Sequence, residues 1–243
     1  MARSKKGEDK KIRLLKKKVN ILRGVLILVS IMCVFLLVIY FKYPKIKYKT
    51  VNKVVMDENI VFVGDSITYM YDLNKYYDGY NVVNNGIDGE FTWGVLDDLK
   101  DRIYKYNPSK VVLLIGTNDI YKNKSVDEIS DNVDKIIKGI KTNRTYAEIY
   151  LVSLLPVNRT SDDIINLNMV KNRTNEMIME INNKYQEIAK KYNITYIDLY
   201  SKLIDDDGNL KLDYTKEGLH LNDNGYKVIT RVIKNVFDKL DNM

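Results

Sequence analysis

One serine and one histidine, far apart in the chain, are the residues best suited to doing chemistry together. Ser66 lies in a Gly-Asp-Ser triplet that ends the apolar run of residues 60–63, and His220 is the only histidine in the sequence. A serine hydroxyl is a weak nucleophile at neutral pH unless a base takes its proton, and imidazole suits that task. The pair therefore predicts nucleophilic catalysis by Ser66, with His220 as its general base.

Two further polar segments follow apolar runs in the same way. Gly86 ends an Asn-Asn-Gly triplet after Val82-Val83, and Asn118 lies in a Gly-Thr-Asn-Asp segment after residues 111–115. Taken alone, Ser66 could cap a helix, Gly86 could form a turn and Asn118 could cap a loop. Because the carboxyl ends of parallel strands gather at one edge of a sheet, the combination instead predicts a shared site.

In this order, the four segments resemble the blocks of the SGNH (GDSL-type) hydrolase superfamily, named for its serine, glycine, asparagine and histidine. The resemblance extends from about residue 59 to residue 240. It implies a flavodoxin-like three-layer α/β/α sandwich and hydrolysis of a carboxylic ester through an acyl-serine intermediate, without a cofactor. It also implies an oxyanion hole formed by the N–H groups of Ser66 and Gly86 and the side-chain amide of Asn118.

The carboxylate that would orient His220 departs from the pattern of this superfamily. The family places an aspartate three residues before the histidine, and this sequence has Glu217 there. Glutamate can hold the imidazole tautomer as carboxylates do in other triads, but its extra methylene changes the geometry. Asp213 is a second candidate, and a Ser–His dyad oriented by backbone carbonyls is a third alternative.

Short apolar runs alternate with amphipathic helical patterns over the rest of the chain. Strands are predicted at residues 60–63, 82–84, 111–115, 149–153 and 195–197. One helix is predicted from a capping box at Ser125 and Glu128, a second carries an apolar stripe from Val170 to Tyr192, and a last helix follows His220. This alternation predicts an α/β fold with a five-stranded parallel sheet.

The positive charge of the chain is confined to its N-terminus. The net charge is +7, whereas residues 1–23 alone carry ten basic and two acidic side chains, a net +8, so the remainder sums to −1. A nucleic-acid-binding domain is expected to carry a basic surface on its folded part. The distribution therefore argues against a nucleic-acid partner.

A membrane segment is predicted at residues 24–41, which contain no charged side chain. Eighteen apolar residues can cross a bilayer core as a helix, and the run lacks the small-residue cleavage site of a signal peptide, which is the rival interpretation. More basic residues precede the run than follow it, so the N-terminus is predicted to be cytoplasmic. The predicted order is a cytoplasmic tail at 1–23, the anchor, a tether at 42–58 and an extracytoplasmic hydrolase domain at 59–243.

These features together predict a membrane-anchored bacterial ester hydrolase without a metal or cofactor. The only cysteine, Cys33, lies in the apolar segment, so the usual zinc ligand sets are absent. The favoured hypothesis is an O-acetylesterase acting on cell-wall or other polysaccharide. A lipid acylhydrolase of the lysophospholipase or thioesterase kind is the alternative, and a catalytically silent binding module is a hypothesis of another class, favoured by Glu217 alone.

Overall fold

The computed structural model describes residues 2–42 and 59–241, which belong to two compact units, Met1–Val55 and Met56–Met243. The described part of the first unit is one helix, α1 (Ala2–Lys42). Its window Lys16–Phe35 has a mean hydropathy of 2.0 and is not buried, so α1 is long and apolar enough to cross a membrane. A signal sequence near the N-terminus can meet the same criteria of length and hydropathy. The predicted span at 24–41 lies within α1, and the predicted tether lies outside the described residues beyond Lys42.

The second unit is built on one sheet of five parallel strands, and the predicted fold class is confirmed. The strands are β1 (Ile60–Gly64), β2 (Val82–Gly86), β3 (Lys110–Leu114), β4 (Glu148–Val152) and β5 (Thr195–Ile197). Their order in the sheet is β2-β1-β3-β4-β5, which is the order of flavodoxin-like sheets. Compared with the predicted bounds, β3 and β4 begin and end one residue earlier, and β1 and β2 extend to Gly64 and Gly86.

The three inner strands carry the core of the domain. All residues of β1 are buried, and in β3 and β4 only the first residue is not. Strands covered on both faces read as continuous apolar runs, which is why they stand out in the sequence. The edge strands β2 and β5 are mostly half-buried because each has a neighbour on one side only.

Helices pack on the sheet in two groups, as expected for a three-layer sandwich. The helices after α1 are α2 (Ser66–Tyr69), α3 (Leu73–Tyr76), α4 (Thr92–Asp97), α5 (Leu99–Arg102), α6 (Thr117–Tyr121), α7 (Val126–Asn143), α8 (Leu167–Val170), α9 (Asn175–Tyr192), α10 (Tyr200–Leu203) and α11 (Asp223–Asp241). One group contains α7, which packs against α4 and α9. The other contains α2 and α11, which are joined by the hydrogen bond from the Tyr226 hydroxyl to the Ile67 carbonyl.

The helix predictions hold with one correction. The capping box of α7 is present, since the Ser125 hydroxyl accepts from the Glu128 N–H and the Glu128 carboxylate accepts from the Ser125 N–H. The stripe predicted from Val170 to Tyr192 is divided between two helices. Lys171 adopts a positive φ of 58°, which ends α8, and the Thr174 side chain caps the start of α9. Val170 therefore belongs to a separate short helix.

The strand order places the ends of β1, β2 and β3 side by side. Gly64 at the end of β1 is in register with Gly86 on one side and with Leu114 on the other. The segments that follow these strands therefore meet at the carboxyl edge of the sheet, with the segment after β1 in the middle.

Candidate active site

Ser66 is the first residue of α2, directly after β1. Asp65, rather than Ser66, caps this helix, because its Oδ1 accepts from the Ile67 N–H at 2.9 Å. This corrects the alternative in which Ser66 would be the cap. The N–H groups of the first helical turn have no partner within the helix. The turn from strand to helix therefore presents both the hydroxyl and the N–H of Ser66 at the edge of the sheet.

Ser66, His220 and Glu217 form one chain of hydrogen bonds. Ser66 Oγ lies 3.0 Å from His220 Nε2, and His220 Nδ1 lies 2.6 Å from Glu217 Oε1. A carboxylate only accepts, so Nδ1 carries the proton in the neutral ring and Nε2 is free to accept from the serine hydroxyl. Ser66 and His220 are only 4% and 7% exposed. The structure thus brings together the nucleophile and base predicted from the sequence, together with the unusual glutamate.

The loop that carries Glu217 and His220 is held by Thr215, which the sequence analysis did not identify. The buried Thr215 hydroxyl donates to the His220 carbonyl at 2.9 Å and accepts from the Gly218 N–H at 2.8 Å. Gly218 has a φ of 100°, and a Cβ there would lie 2.6 Å from the Asn158 carbonyl oxygen. Only glycine fits this turn, which fixes the histidine over the serine.

Glu217 is the carboxylate that contacts the imidazole. Burial raises its pKa, but hydrogen bonds from the His220 ring and from the His220 N–H outweigh burial, so the pKa of Glu217 lies below its ordinary value. The Glu217 Oε1 atom accepts both of these bonds. Asp213, the second candidate, is exposed, and its described contact is a backbone carbonyl that accepts from Asn222.

Gly86 lies where its N–H could face the reacting carbonyl, but that N–H already has a partner. It donates to Asn84 Oδ1 at 2.9 Å. A Cβ at Gly86 would overlap the backbone of Thr68 and Tyr69 in α2, so only glycine allows this close approach. As an oxyanion donor, the Gly86 N–H would have to share its hydrogen or release Asn84.

Asn118 follows β3 and lies in the first turn of α6. Its Nδ2 donates to the Glu90 carbonyl at 3.0 Å, and its Oδ1 accepts from Arg173 Nη2 at 2.8 Å. An amide nitrogen has two hydrogens, so the second remains for a ligand. The neighbouring Asp119 accepts from the N–H and hydroxyl of Thr92, which ties the start of α4 to α6.

Arg173, like Thr215, was missed by the sequence analysis. It lies in the short segment between α8 and α9 and is 2% exposed. The only signal in the sequence is a charged residue just before a helix cap, which is ordinarily a solvated position.

Two buried carboxyl groups lie close to the site. Burial raises the pKa of Asp65 to about 7, against the opposing effects of the Ile67 N–H and the charges of Arg173 and His220. The Oδ2 atom of Asp65 is buried and has no hydrogen-bond partner in the part of the chain that the structure describes. Burial likewise raises the pKa of Asp119 to about 6, despite its bonds from Thr92.

We expect Asp65→Asn to change how stability depends on pH. The folded chain keeps the Asp65 proton up to about pH 7, whereas the unfolded chain loses it near pH 3.8, so the free energy of unfolding falls as pH rises between these values. Asparagine retains the capping oxygen without this titration. Between pH 4 and pH 8 the free energy of unfolding of the wild type should fall by up to roughly 4 kcal/mol relative to that of the variant.

Thermal unfolding of the full chain in mild detergent, followed by circular dichroism, measures this difference. Asp213→Asn, at an exposed position, is the control and should follow the wild-type profile. Parallel profiles for the wild type and Asp65→Asn would show that Asp65 titrates normally.

A serine, an imidazole and a carboxylate linked in this order at the carboxyl edge of a parallel sheet define a serine hydrolase. The chain belongs to the GDSL-like lipase/acylhydrolase family, whose family model matches residues 62–228. The chain therefore belongs to a family of ester hydrolases, as the sequence analysis predicted.

The chain is also similar to several known proteins. A structure from Streptococcus pneumonia, provisionally described as a platelet activating factor, is 35% identical with a TM-score of 0.70 and covers 86% of this chain and 98% of its own. The N-acylneuraminate cytidylyltransferase of Escherichia coli is 30% identical over 73% of this chain, and the chain spans only 40% of its length. The platelet-activating factor acetylhydrolase IB subunit alpha2 of Gallus gallus is 22% identical over 76% of this chain and 78% of its own.

Proposed function

We propose that the protein hydrolyses carboxylic esters in two steps through an acyl-Ser66 intermediate. His220 takes the Ser66 proton as Oγ attacks the ester carbonyl, and then gives that proton to the leaving alcohol. Water, activated by the same imidazole, releases the acid and restores Ser66. Glu217 keeps Nε2 free to accept the proton and stabilises the imidazolium. The hydrogen-bond chain of 3.0 Å and 2.6 Å through Ser66, His220 and Glu217 is the observation that carries this proposal.

The negative oxygen formed in each step needs donors that are already in place. We assign this role to the N–H of Ser66, the second hydrogen of Asn118 Nδ2 and the N–H of Gly86. Because β1 lies between β2 and β3, these donors would surround the nucleophile from both sides. The Gly86 N–H would leave Asn84 or be shared with it when the oxyanion forms.

The proposed substrate is an O-acetyl ester on a cell-wall or other polysaccharide. The rings of Phe91 and Trp93 are stacked with centroids 4.2 Å apart, and both are half-buried. They flank Thr92, whose N–H bonds to Asp119, and they follow Glu90, whose carbonyl bonds to Asn118. A flat aromatic pair beside the site suits the C–H face of a sugar ring. The acetylhydrolase among the similar proteins supports a short acyl group.

We place this reaction outside the membrane, with α1 as an uncleaved anchor. The support is the apolar window of α1 and the excess of basic residues before it. The sixteen residues from 43 to 58 would reach at most about 55 Å, so the site would act on polymer close to the membrane surface.

A lipid acylhydrolase is the second candidate, and one observation favours it. Large apolar side chains are exposed on segments beside the site: Tyr69, Met70 and Ile87 near Ser66 and Gly86, and Ile164, Leu167 and Met169 in the segment 164–170, which includes α8. The Asn166 N–H in that segment donates to the Glu217 carbonyl at 2.9 Å. Such side chains could contact acyl chains at a membrane surface.

Substrate preference separates the two candidates. The full-length protein in detergent is assayed on p-nitrophenyl acetate and decanoate, on O-acetylated polysaccharide and on lysophospholipid. The glycan proposal predicts acetate release from polysaccharide and at least a tenfold preference for the acetyl ester over the decanoyl ester.

Trp93→Ala should lower kcat/KM more on the polysaccharide than on p-nitrophenyl acetate. Tyr146 is an exposed aromatic residue elsewhere, and Tyr146→Ala should alter neither value. Preference for the decanoyl ester together with turnover of lysophospholipid would overturn the glycan proposal in favour of a lipid acylhydrolase.

A further inference from the structure

Arg173 is a buried cation whose hydrogen bonds all end on neutral oxygens. Its Nε donates to the carbonyl and hydroxyl of Thr117 at 2.9 and 3.0 Å, and its Nη1 donates to the carbonyls of Met169 and Val170, both at 3.1 Å. Its Nη2 donates to Asn118 Oδ1 at 2.8 Å. Among the ion pairs of the described residues, none involves Arg173.

These contacts determine which way the Asn118 amide points. A guanidinium has no acceptor, so the amide atom facing Arg173 must be the oxygen. The Glu90 carbonyl has no donor, so the atom facing it must be the nitrogen. Both neighbours thus select the same orientation, which directs the second Nδ2 hydrogen away from both of them.

Among the described residues, no carboxylate forms an ion pair with Arg173. A buried cation is costly unless it is paired, and loss of water lowers the pKa of Arg173. Asp65 interacts with Arg173 through its charge, but no hydrogen bond joins them among the described residues. Arg173 polarises the Asn118 amide by donating to its oxygen. A negative oxygen bound to the amide nitrogen would then provide the opposite charge on the other side of this amide.

We propose that Arg173 is the positioning residue of the oxyanion hole, which fixes the Asn118 amide in its donating orientation and strengthens its N–H through polarisation. This inference rests on the proposed function, because it assigns Asn118 to the oxyanion. Arg173 does not touch the substrate. Its effect appears when the ester carbonyl becomes tetrahedral, so it acts on kcat rather than on binding of the neutral ester.

Two substitutions of Arg173 test the proposal in the full-length protein. Arg173→Met removes every donor, and we expect kcat to fall 10- to 100-fold with KM changed less than twofold. Arg173→Lys keeps the charge and one donor nitrogen, and should retain more of kcat. The rate of labelling by a fluorophosphonate, which forms a tetrahedral adduct on serine, should fall in parallel with kcat.

A double-mutant cycle separates this role from a purely structural one. Asn118→Ala should itself lower kcat by about 10²- to 10³-fold. If Arg173 acts through Asn118, adding Arg173→Met to Asn118→Ala should lower kcat less than twofold further. An equal loss in both backgrounds would overturn the proposal.

Arg144→Met is the matched control for a lost arginine. Arg144 also donates to backbone carbonyls, those of Tyr104 and Asn143, and it belongs to neither the catalytic chain nor the oxyanion hole. The Arg144→Met substitution should lower the unfolding temperature without changing kcat. If Arg173→Met lowers the unfolding temperature and leaves kcat unchanged, Arg173 is only structural and the inference fails. Failure of the proposed function is distinct, because Ser66→Ala would then retain the activity.

Discussion

Ser66→Ala and His220→Ala are each expected to reduce kcat for ester hydrolysis by about 10⁴- to 10⁶-fold. Removing the serine or histidine of a linked triad abolishes the covalent step, and the remaining rate comes from substrate binding and the oxyanion donors. The effects should not add, so the double variant should be about as slow as either single one. Turnover of p-nitrophenyl acetate, corrected for spontaneous hydrolysis, measures these losses.

Covalent labelling identifies the nucleophile independently of the substrate. A fluorophosphonate should label the wild type and not Ser66→Ala. Ser130→Ala is a matched control, because Ser130 is also buried but its hydroxyl bonds to carbonyls within α7. Labelled or active Ser66→Ala protein would contradict the acyl-serine mechanism. A wild type that shows neither labelling nor turnover would instead favour a binding module.

Glu217→Ala is expected to lower kcat/KM by about 10²- to 10⁴-fold, the second largest effect. Without the carboxylate, the imidazole can take the wrong tautomer and its charged form loses its partner. The pKa of Glu217 lies below its ordinary value, so the carboxylate stays charged at neutral and mildly acidic pH. The contribution of this lowered pKa to the free energy of unfolding should be fully present above the ordinary pKa of glutamate and be lost as pH falls through the lowered pKa.

Asp213→Ala is the control for Glu217→Ala, since both are acidic residues of the same loop region. Asp213 is exposed, so this variant should retain wild-type kcat/KM. A loss on Asp213→Ala and none on Glu217→Ala would reassign the orienting carboxylate. Wild-type rates for both would indicate a Ser–His dyad, oriented by backbone groups.

The parts of the fold and site that rest on local patterns could be predicted. The inner strands are continuous apolar runs because helices cover both faces, so the runs at Val61 and Val112 mark strands without ambiguity. His220 was identified because the chain has one histidine, and the strand order then places the segments after β1, β2 and β3 at one edge. Glu217 followed from the resemblance to the SGNH superfamily, which places an orienting aspartate three residues before the histidine.

The remaining features depend on contacts between distant parts of the chain. Arg173 is 55 residues from Asn118, and its burial follows from how α8 and α9 are separated at Lys171. A positive φ at a lysine has no sequence signal, so the apolar stripe was extended across it. Thr215 was missed for a related reason, because a threonine is ordinary in a loop and its role depends on the closed turn around it.

The bond between the Gly86 N–H and Asn84 Oδ1 has a consequence for substrate recognition. The side chain of Asn84 occupies this donor, much as a substrate oxygen would. A neutral ester carbonyl gains little by displacing another neutral oxygen, whereas an oxyanion forms a charge-assisted bond about twice as strong. If Gly86 donates as proposed, Asn84 Oδ1 competes with the substrate for the Gly86 N–H, and only the charged oxygen of the transition state displaces it. The site would then hold its neutral ester loosely, since the ester lacks the charge needed to displace that amide oxygen.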